Sequence, residues 1–142
     1  LLHGLEGSAH SVYVQGLLAL LEGRGLRAVA LNFRSCARDL PSLRKNLPNR
    51  GRRLYHSGET SDLDHLLRTI SAAEPGVPLA AIGVSLGGNV LLKWLGEHPE
   101  ERLVVAAGDV AGSIVVITQR VHGFTIRSLA PFASSVCIVS SA

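Results

Sequence analysis

Methionine is absent from the 142-residue sequence, and cysteine occurs only twice. Cys36 and Cys137 form no CxxC pair and have no neighbours at metal-ligand spacing, so the sequence predicts two free thiols in a reducing compartment and no metal site. The chain opens on Leu1 and contains no methionine elsewhere. We therefore expect it to be a piece of a longer protein.

Long hydrophobic runs are also missing. No apolar stretch reaches the roughly 18 to 20 residues that a membrane-spanning helix requires, and the N-terminal residues do not resemble a signal peptide. On this basis a cytoplasmic location is favoured. With 46% hydrophobic residues, the chain has enough apolar surface for one buried core, and its length favours a single globular domain.

Charged residues make up only 18% of the sequence, and the net charge is +3. Much of the positive excess lies in one segment, Arg44–Arg53, which reads RKNLPNRGRR. We interpret it as a solvated loop, because it lacks the interleaved aromatic residues of nucleic-acid-binding surfaces. The sequence therefore predicts no nucleic-acid partner. Contact of the basic segment with a membrane surface stays an open alternative that no further feature of the sequence supports. A module that binds anionic partners through this loop is the less favoured alternative.

Helical and strand-like segments alternate along the chain as far as Asp109. Apolar residues at helical spacing predict three helices: Val12–Glu22, a helix with Thr60 or Ser61 as its N-cap and Asp62 and Asp64 in its first turn, and a helix that follows Ser85 and ends between Gly96 and Pro99. Short apolar runs predict buried strands at Leu26–Phe33, Leu79–Val84 and Arg102–Gly112, with Leu1 and Leu2 as the end of another strand. The connection Arg34–His56 is predicted to be an irregular surface loop.

This alternation is typical of the α/β class, and it predicts a partial doubly wound, mostly parallel sheet with flanking helices. The pattern changes after Asp109, because the residues beyond it include no Asp, Glu or Lys. Two apolar runs there, IVVI and VCIV, are strand candidates. We therefore divide the chain into a partial core, residues 1–109, and a divergent tail, residues 110–142, whose architecture the pattern does not define.

The segment Gly83–Gly87 reads GVSLG and matches the G-x-S-x-G pattern between a predicted strand and a predicted helix. A nucleophile in such a turn has strained backbone dihedrals, and Gly83 and Gly87 allow the strand and helix to approach each other. Ser85 is therefore the candidate nucleophile. The alternative is a packing turn or a phosphate-binding loop, but G-x-G-x-x-G spacing and a Walker lysine are both absent.

Two backbone N–H groups are candidates for an oxyanion hole. Leu86 opens the helix after the serine, where unpaired N–H groups and the helix dipole favour negative charge. Leu5 follows His-Gly in the loop after the first predicted strand, where the second donor of such a site is expected. We interpret His3 as a structural residue, because a general base in this arrangement follows the nucleophile in chain order.

With these positions assigned, the chain resembles the α/β-hydrolase superfamily and, more narrowly, its YheT-type branch, which is related to the ABHD esterases and lipases. The motifs that carry the resemblance are, in order, LLHGLEGSAHSVYVQGLL, ALNFRSC, LYHSGETSDL and GVSLGGNVLLKWLGE. The resemblance implies hydrolysis of a small acyl ester or lipid, a Ser–His–Asp triad that includes Ser85, and no cofactor. It also implies that the opening strands of the fold, and the later loops that supply the acid and the histidine, lie outside this chain.

This sequence departs from the family after the ALNF strand, where Arg34–Arg38 reads RSCAR rather than Arg-Gly-Cys-Ser-Gly. A triad of Ser85, Asp109 and His122 has the right chain order, but nothing in the sequence indicates that His122 returns to the serine. His56 is expected to hydrogen-bond its own turn, with a substrate contact as the alternative. The sequence thus predicts a serine ester hydrolase in the full-length protein; the alternative is a catalytically inactive truncated or variant hydrolase fragment.

Overall fold

The computed structural model describes residues 1–38, 45–49 and 51–100, together with the backbone of short strands in the rest of the chain. Its helices are α1 (Val12–Glu22), α2 (Ser61–Ala73) and α3 (Leu86–Glu97). Its strands are β1 (Ala80–Val84), β2 (Ala107–Val110), β3 (Ser113–Ile117), β4 (Phe124–Ser128) and β5 (Cys137–Ser141). Within this described part, every helix is too short or too polar to cross a bilayer.

The three predicted helices are confirmed, and α1 has the predicted bounds. In the turn that follows α1, Gly25 adopts a φ of 72°, and the Leu26 N–H donates to the Leu21 carbonyl at 3.0 Å. Positive φ favours glycine, so the GRG sequence ends the helix where it was expected to.

The start of α2 differs from the prediction in its capping group. Thr60 occupies the N-cap position, but its hydroxyl makes no capping bond and donates instead to Glu97 at 2.6 Å. The Glu59 carboxylate takes the capping role, because it accepts the Ser61 N–H at 3.0 Å. Hydrogen bonds from the Ser61 hydroxyl, from Arg53 and from the Ser61 N–H lower the pKa of Glu59 to about 2.

The described strands form two antiparallel sheets. One has the order β1-β3-β2, and the other pairs β4 with β5. The predicted mostly parallel sheet is not confirmed, because parallel pairing in the described part of the chain is limited to bridges from Leu2 to Leu31 and from Leu2 to Gly83. Only residues 111 and 112 separate β2 from β3, and so short a connection joins antiparallel strands.

The predicted strand Leu26–Phe33 is wrong apart from the bridge at Leu31. This segment is not covered on both faces, since Val29 is 53% exposed. Two of its backbone groups bond to Leu1: the Leu31 N–H donates to the Leu1 carbonyl at 2.9 Å, and the Val29 carbonyl accepts the Leu1 amino group at 2.7 Å. An apolar run forms a strand only where a ladder of partners exists, and within the described residues this run has no such ladder.

Two further predicted strands of the core are confirmed. β1 lies within the predicted run Leu79–Val84, and β2 lies within Arg102–Gly112. In the tail, β3 contains the whole IVVI run and β5 contains most of VCIV, so both strand candidates are confirmed.

Helices pack on both faces of β1. Ala81 belongs to the larger apolar cluster, which α2 and α3 supply with Leu63, Leu67, Val90, Leu91 and Trp94. Ile82, the next residue, belongs to a second cluster with Leu17 and Leu21 of α1. Successive residues of a strand point to opposite faces, so α1 lies on one side of β1 and α2 and α3 lie on the other. The described part of the chain therefore has three layers, with β1 in the middle layer.

Candidate active site

Ser85 occupies the turn between β1 and α3 and has a φ of 53° and a ψ of −115°. Such a conformation is rare for a residue with a side chain, and strain of this kind is concentrated at functional sites. The residue is exposed, so its hydroxyl does not pack into the core. The sequence prediction of a strained turn that presents this serine to solvent agrees with this geometry.

Gly83 and Gly87 lie where any larger residue would collide with backbone. A Cβ on Gly83 would stand 2.6 Å from the Gly87 carbonyl oxygen, and a Cβ on Gly87 would stand 2.6 Å from the Leu2 carbonyl oxygen. Both distances are too short for real contacts. The two glycines therefore let β1, α3 and the segment Leu2–His3 come together with their main chains in direct contact.

The loop that follows Leu2 passes beside Ser85. Gly4 is buried, and a Cβ built on it would lie 3.4 Å from the Ser85 Cβ. Leu5, the next residue, has a side chain that is 68% exposed. The loop from His3 to Gly7 is thus next to the candidate nucleophile, as expected from the sequence.

The backbone N–H groups of this loop have different partners. The Gly4 N–H donates to the Tyr13 hydroxyl at 2.8 Å, and the Glu6 N–H donates to the Tyr55 hydroxyl at 3.0 Å. The Gly7 N–H donates to the Gly4 carbonyl at 3.1 Å. Among the described residues, the Leu5 N–H has no acceptor.

Leu86 is the first residue of α3, so its N–H has no acceptor inside the helix. No acceptor for it is found elsewhere in the described ranges. The N–H groups of Leu5 and Leu86, which the sequence analysis proposed as oxyanion donors, therefore both lack an acceptor within the part of the chain that the structure describes.

His3 is a structural residue in this geometry, as the sequence analysis interpreted it. It is buried, its Nε2 accepts the Phe33 N–H at 3.2 Å, and its Nδ1 donates to the Gly4 carbonyl at 2.7 Å. Burial lowers the pKa of His3, which favours the neutral ring that this pair of bonds requires. With both ring nitrogens bonded to backbone, His3 has no nitrogen left to accept a proton from Ser85.

Two of the other histidines in the described region also contact residues other than Ser85. His56 accepts the Gly58 N–H at 3.1 Å, so it bonds its own turn as expected. The His98 ring stacks on Trp94 with a centroid distance of 4.9 Å. Within residues 1–38, 45–49 and 51–100, no hydrogen-bond partner of the Ser85 hydroxyl is found.

The structure does not test the alternative triad of Ser85, Asp109 and His122. Asp109 lies in β2, where it pairs with Ile114, and His122 lies outside the described residues. No cluster of His, Cys, Asp or Glu in the described part of the chain has the arrangement of a metal site. Cys36 is a free, buried thiol whose pKa is raised by burial.

A polar cleft of about 540 Å3 opens beside the same loop. It is lined by Glu6, Ser35, Cys36, Arg38, Asn46 and Tyr55. Glu6 and Ser35 both have positive φ, of 53° and 65°, and with Ser85 they are the non-glycine residues of the described part that do.

The basic segment Arg44–Arg53 is described only in part, because Arg44 and Arg50 lie outside the described residues. Arg53 forms an ion pair with Glu59 at 2.7 Å. This pairing joins the segment to the start of α2 and uses part of its positive charge within the molecule.

Sequence reasoning did not find the two tyrosines that contact the loop. They are the only tyrosines of the chain, and aromatic residues amount to just 4% of it. Tyr13 lies on α1, and Tyr55 lies in an irregular connection. Neither residue belongs to a sequence motif that would have linked it to Ser85.

A strained, exposed serine at a strand-to-helix turn, with glycines two residues before and after it, has the geometry that the G-x-S-x-G pattern predicts. A sequence model of the α/β hydrolase fold matches residues 1–111. The chain therefore belongs to the α/β-hydrolase family.

Three relatives place it within this family. It is 40% identical over 114 residues to YheT of Escherichia coli K12, a protein whose name assigns it to the esterases, and the match covers 80% of this chain and 31% of YheT. It is 34% identical over 107 residues to the mouse phospholipase ABHD3, covering 75% and 24% of the two chains. It is 31% identical over 111 residues to the medium-chain fatty acid ethyl ester synthase/esterase 2 of Saccharomyces cerevisiae, covering 78% and 23%.

The chain thus spans a third or less of the length of these curated relatives. No solved structure gives a significant match. The resemblance to the YheT and ABHD branch, inferred from the sequence motifs, is confirmed by these relatives.

Proposed function

We propose that the protein to which this chain belongs is a serine hydrolase that cleaves carboxylic esters. Ser85 is the nucleophile, the N–H groups of Leu5 and Leu86 form the oxyanion hole, and Gly83 and Gly87 support the elbow. The observation that carries the proposal is the Ser85 turn, where positive φ and exposure coincide with a neighbouring loop so close that a Cβ on its Gly4 would lie 3.4 Å from the Ser85 Cβ.

The chemistry follows from this arrangement. The Ser85 Oγ attacks the carbonyl carbon of the ester and loses its proton to a base, and the carbonyl oxygen becomes an anion held by the two N–H donors. The anion then collapses, the base gives its proton to the departing oxygen, the alcohol leaves, and an acyl-serine remains. Water then loses a proton to the same base and attacks the acyl-serine, and the base returns that proton to the Ser85 Oγ as the acid leaves. The base is the histidine that completes the triad, and no cofactor takes part.

The substrate class is proposed from the relatives and the cleft. The relatives carry the names of an esterase, a phospholipase and a fatty acid ethyl ester synthase/esterase, which all denote acyl esters. The polar lining of the cleft beside Glu6 suits the more polar end of a small ester or lipid. We therefore assign a small-molecule acyl ester or a lipid as the substrate.

The domain division is proposed in the same way. Residues 1–109 form a partial hydrolase core, and residues 110–142 form a divergent tail. The packing of helices on both faces of β1, together with the parallel bridges at Leu2, supports a partial doubly wound sheet around β1. In this proposal the antiparallel strand β3 belongs to the tail.

Labelling with a fluorophosphonate tests the role of Ser85. The full-length protein that carries this chain is expected to be labelled, and Ser85→Ala is expected to remove the label because the phosphorus bonds to the Ser85 Oγ. Ser57→Ala is the matched control, since Ser57 is an exposed serine on a nearby connection and is expected to leave labelling intact. Equal labelling of the Ser85→Ala protein would overturn the proposal.

The second candidate is a catalytically inactive hydrolase fragment. It is favoured by the lack of any base bonded to the Ser85 hydroxyl within the described residues. Without a base, the oxyanion hole and binding alone leave only about 10³- to 10⁴-fold catalysis over water in a model serine hydrolase. Turnover of a p-nitrophenyl ester by the 142-residue chain alone separates the two, because a robust Ser85-dependent rate contradicts inactivity.

A further inference from the structure

The two residues that flank Leu5 are each held by a tyrosine. The Gly4 N–H is bonded to the Tyr13 hydroxyl at 2.8 Å, and the Glu6 N–H is bonded to the Tyr55 hydroxyl at 3.0 Å. Leu5 lies between them with an N–H that has no acceptor in the described part of the chain. Both tyrosines of the chain are thus engaged on either side of one free backbone donor.

Each tyrosine is fixed by its own surroundings. Tyr13 lies in the first turn of α1, and its hydroxyl is also close to Gly7, where an added Cβ would stand 3.1 Å from it. The Tyr55 ring stacks on Phe33 with a centroid distance of 5.4 Å and an interplanar angle of 7°. The two hydroxyls therefore come from separate parts of the chain and hold the loop at two points.

We propose that Tyr13 and Tyr55 are positioning residues that hold the Leu5 N–H in the orientation an oxyanion requires. This inference rests on the proposed function, in which Leu5 is one of the two donors. An oxyanion hole is effective because its donors are already oriented before negative charge develops. The Leu5 N–H belongs to the planar peptide whose Gly4 carbonyl accepts bonds from His3 Nδ1 at 2.7 Å and from the Gly7 N–H at 3.1 Å. The two tyrosine bonds add to this by holding the peptides on either side of it.

The two bonds also explain which N–H group of the loop is left free. A tyrosine hydroxyl accepts the N–H before Leu5 and another accepts the N–H after it, while Gly4 supplies its carbonyl to Gly7. An anion that enters beside Ser85 therefore meets one uncommitted donor in this loop. Burial raises the pKa of Tyr55, so its phenol stays protonated and can accept the Glu6 bond without adding a charge next to the oxyanion.

The Tyr55 hydroxyl links this loop to the cleft. Tyr55 and Glu6 both line the cleft, and the bond between them crosses from the cleft wall to the loop. A group that occupied the cleft would therefore lie beside the side chain that is proposed to position the donor.

Tyr13→Phe and Tyr55→Phe test the inference, because each removes one hydroxyl and keeps the ring. In the full-length protein, each is expected to lower kcat and the rate of fluorophosphonate labelling about 10-fold with KM nearly unchanged, and the double variant about 100-fold, which is the loss expected for one oxyanion donor. Ser11→Ala is the matched control. The Ser11 hydroxyl accepts the Ser8 N–H at 3.0 Å in the next turn and does not contact the loop residues around Leu5.

A second measurement does not depend on activity. In the full-length protein, the ¹⁵N order parameter of the Leu5 N–H is expected to be near the rigid value of about 0.85 and to fall in each Tyr→Phe variant, most in the double variant. Far-UV circular dichroism checks that each variant is folded. If Tyr55→Phe does not fold, Tyr13→Phe provides the test alone. Tyr13 is 37% exposed, so removal of its hydroxyl leaves little buried space.

The outcomes separate the inference from the proposed function. If labelling depends on Ser85 but the Tyr→Phe variants match wild type in rate, the inference is overturned and the proposed function stands. If the Leu5 order parameter is unchanged in the variants, the inference is overturned whatever the rates are. If Ser85→Ala does not affect labelling, the proposed function fails, and the inference fails with it.

Discussion

At the scale of single residues, backbone strain marks the region around the candidate site. Ser85, Glu6 and Ser35 adopt positive φ, and the last two line the cleft beside the loop that passes Ser85. Strained residues persist only where the surrounding structure over-determines them, and they are concentrated at functional sites. The strain and the tyrosine bonds therefore point to the same loop by independent observations.

Glu59 is a second residue whose effect can be isolated. Its pKa is lowered to about 2, foremost by the Ser61 hydroxyl and then by Arg53 and the Ser61 N–H. Because the folded pKa lies below the ordinary value of 4.5, this stabilisation is present above pH 4.5 and is lost as the pH falls toward 2. Glu59→Ala is expected to lower the free energy of unfolding by about 1 kcal/mol at pH 7, the typical value of a helix cap.

Urea unfolding at a series of pH values measures this effect. The difference between wild type and Glu59→Ala is expected to shrink as the pH falls from 4.5 to about 2. Glu22→Ala is the control, since Glu22 is exposed at the end of α1 and is expected to change stability little at any pH. A difference that stays constant down to pH 2 would contradict the capping role.

At the scale of elements, α3 contacts both β1 and the segment Leu2–His3 through main chain. A Cβ on Gly83 of β1 would lie 2.6 Å from the Gly87 carbonyl oxygen, and a Cβ on Gly87 would lie 2.6 Å from the Leu2 carbonyl oxygen, whereas Gly96 of the same helix has nothing within 4 Å. The packing of α3 therefore requires glycine at position 87 but not at position 96.

Gly87 and Gly96 of α3 make a matched pair of variants. Gly87→Ala is expected to lower the free energy of unfolding by about 1–3 kcal/mol, because the added methyl group overpacks a backbone contact. Gly96→Ala is expected to raise it by about 0.5–1 kcal/mol, because alanine loses less backbone entropy in a helix. Chemical denaturation of both variants measures the effect, and equal shifts would show that the close approach is absent.

Elements with local causes were predictable from the sequence, and elements with distant causes were not. α1 begins and ends as expected because its apolar spacing and the GRG stop are local. The Ser85 turn was predictable for the same reason, since its glycines lie within two residues of it. Leu26–Phe33 was mispredicted because strand formation depends on a partner ladder, and the tyrosines were missed because hydrogen bonds over large sequence separations leave no pattern.

At the scale of the whole molecule, β1 joins two apolar clusters. Ala81 contributes to the cluster that contains Trp94, and Ile82 contributes to the cluster of α1 that contains Leu17. Because adjacent residues of one short strand serve both clusters, loss of packing on one face removes support from the other. We therefore expect the described core to unfold as one cooperative unit, as chains under about 150 residues usually do.

Leu17→Ala tests this coupling, because Leu17 lies in one cluster and the fluorescent probe, Trp94, lies in the other. Trp94 is the only tryptophan and lies in the other cluster, so its fluorescence reports on α3. The substitution is expected to destabilise the fold by about 2–5 kcal/mol, and to move the tryptophan and circular dichroism transitions together. Leu92→Ala is the control, because Leu92 is 44% exposed. A tryptophan transition that stays in place would show that the clusters unfold separately.

The glycine contacts of α3 also determine what sets the spacing of the two proposed oxyanion donors. Leu5 follows directly from His3 and Gly4, whose backbone rests against Gly87 and the Ser85 turn, and Leu86 is part of the same helix as Gly87. The distance between the two N–H donors is thus set by backbone groups in contact and not by side-chain rotamers. Side chains around the cleft can accordingly diverge from protein to protein, and alter which molecule is accommodated, without disturbing that distance.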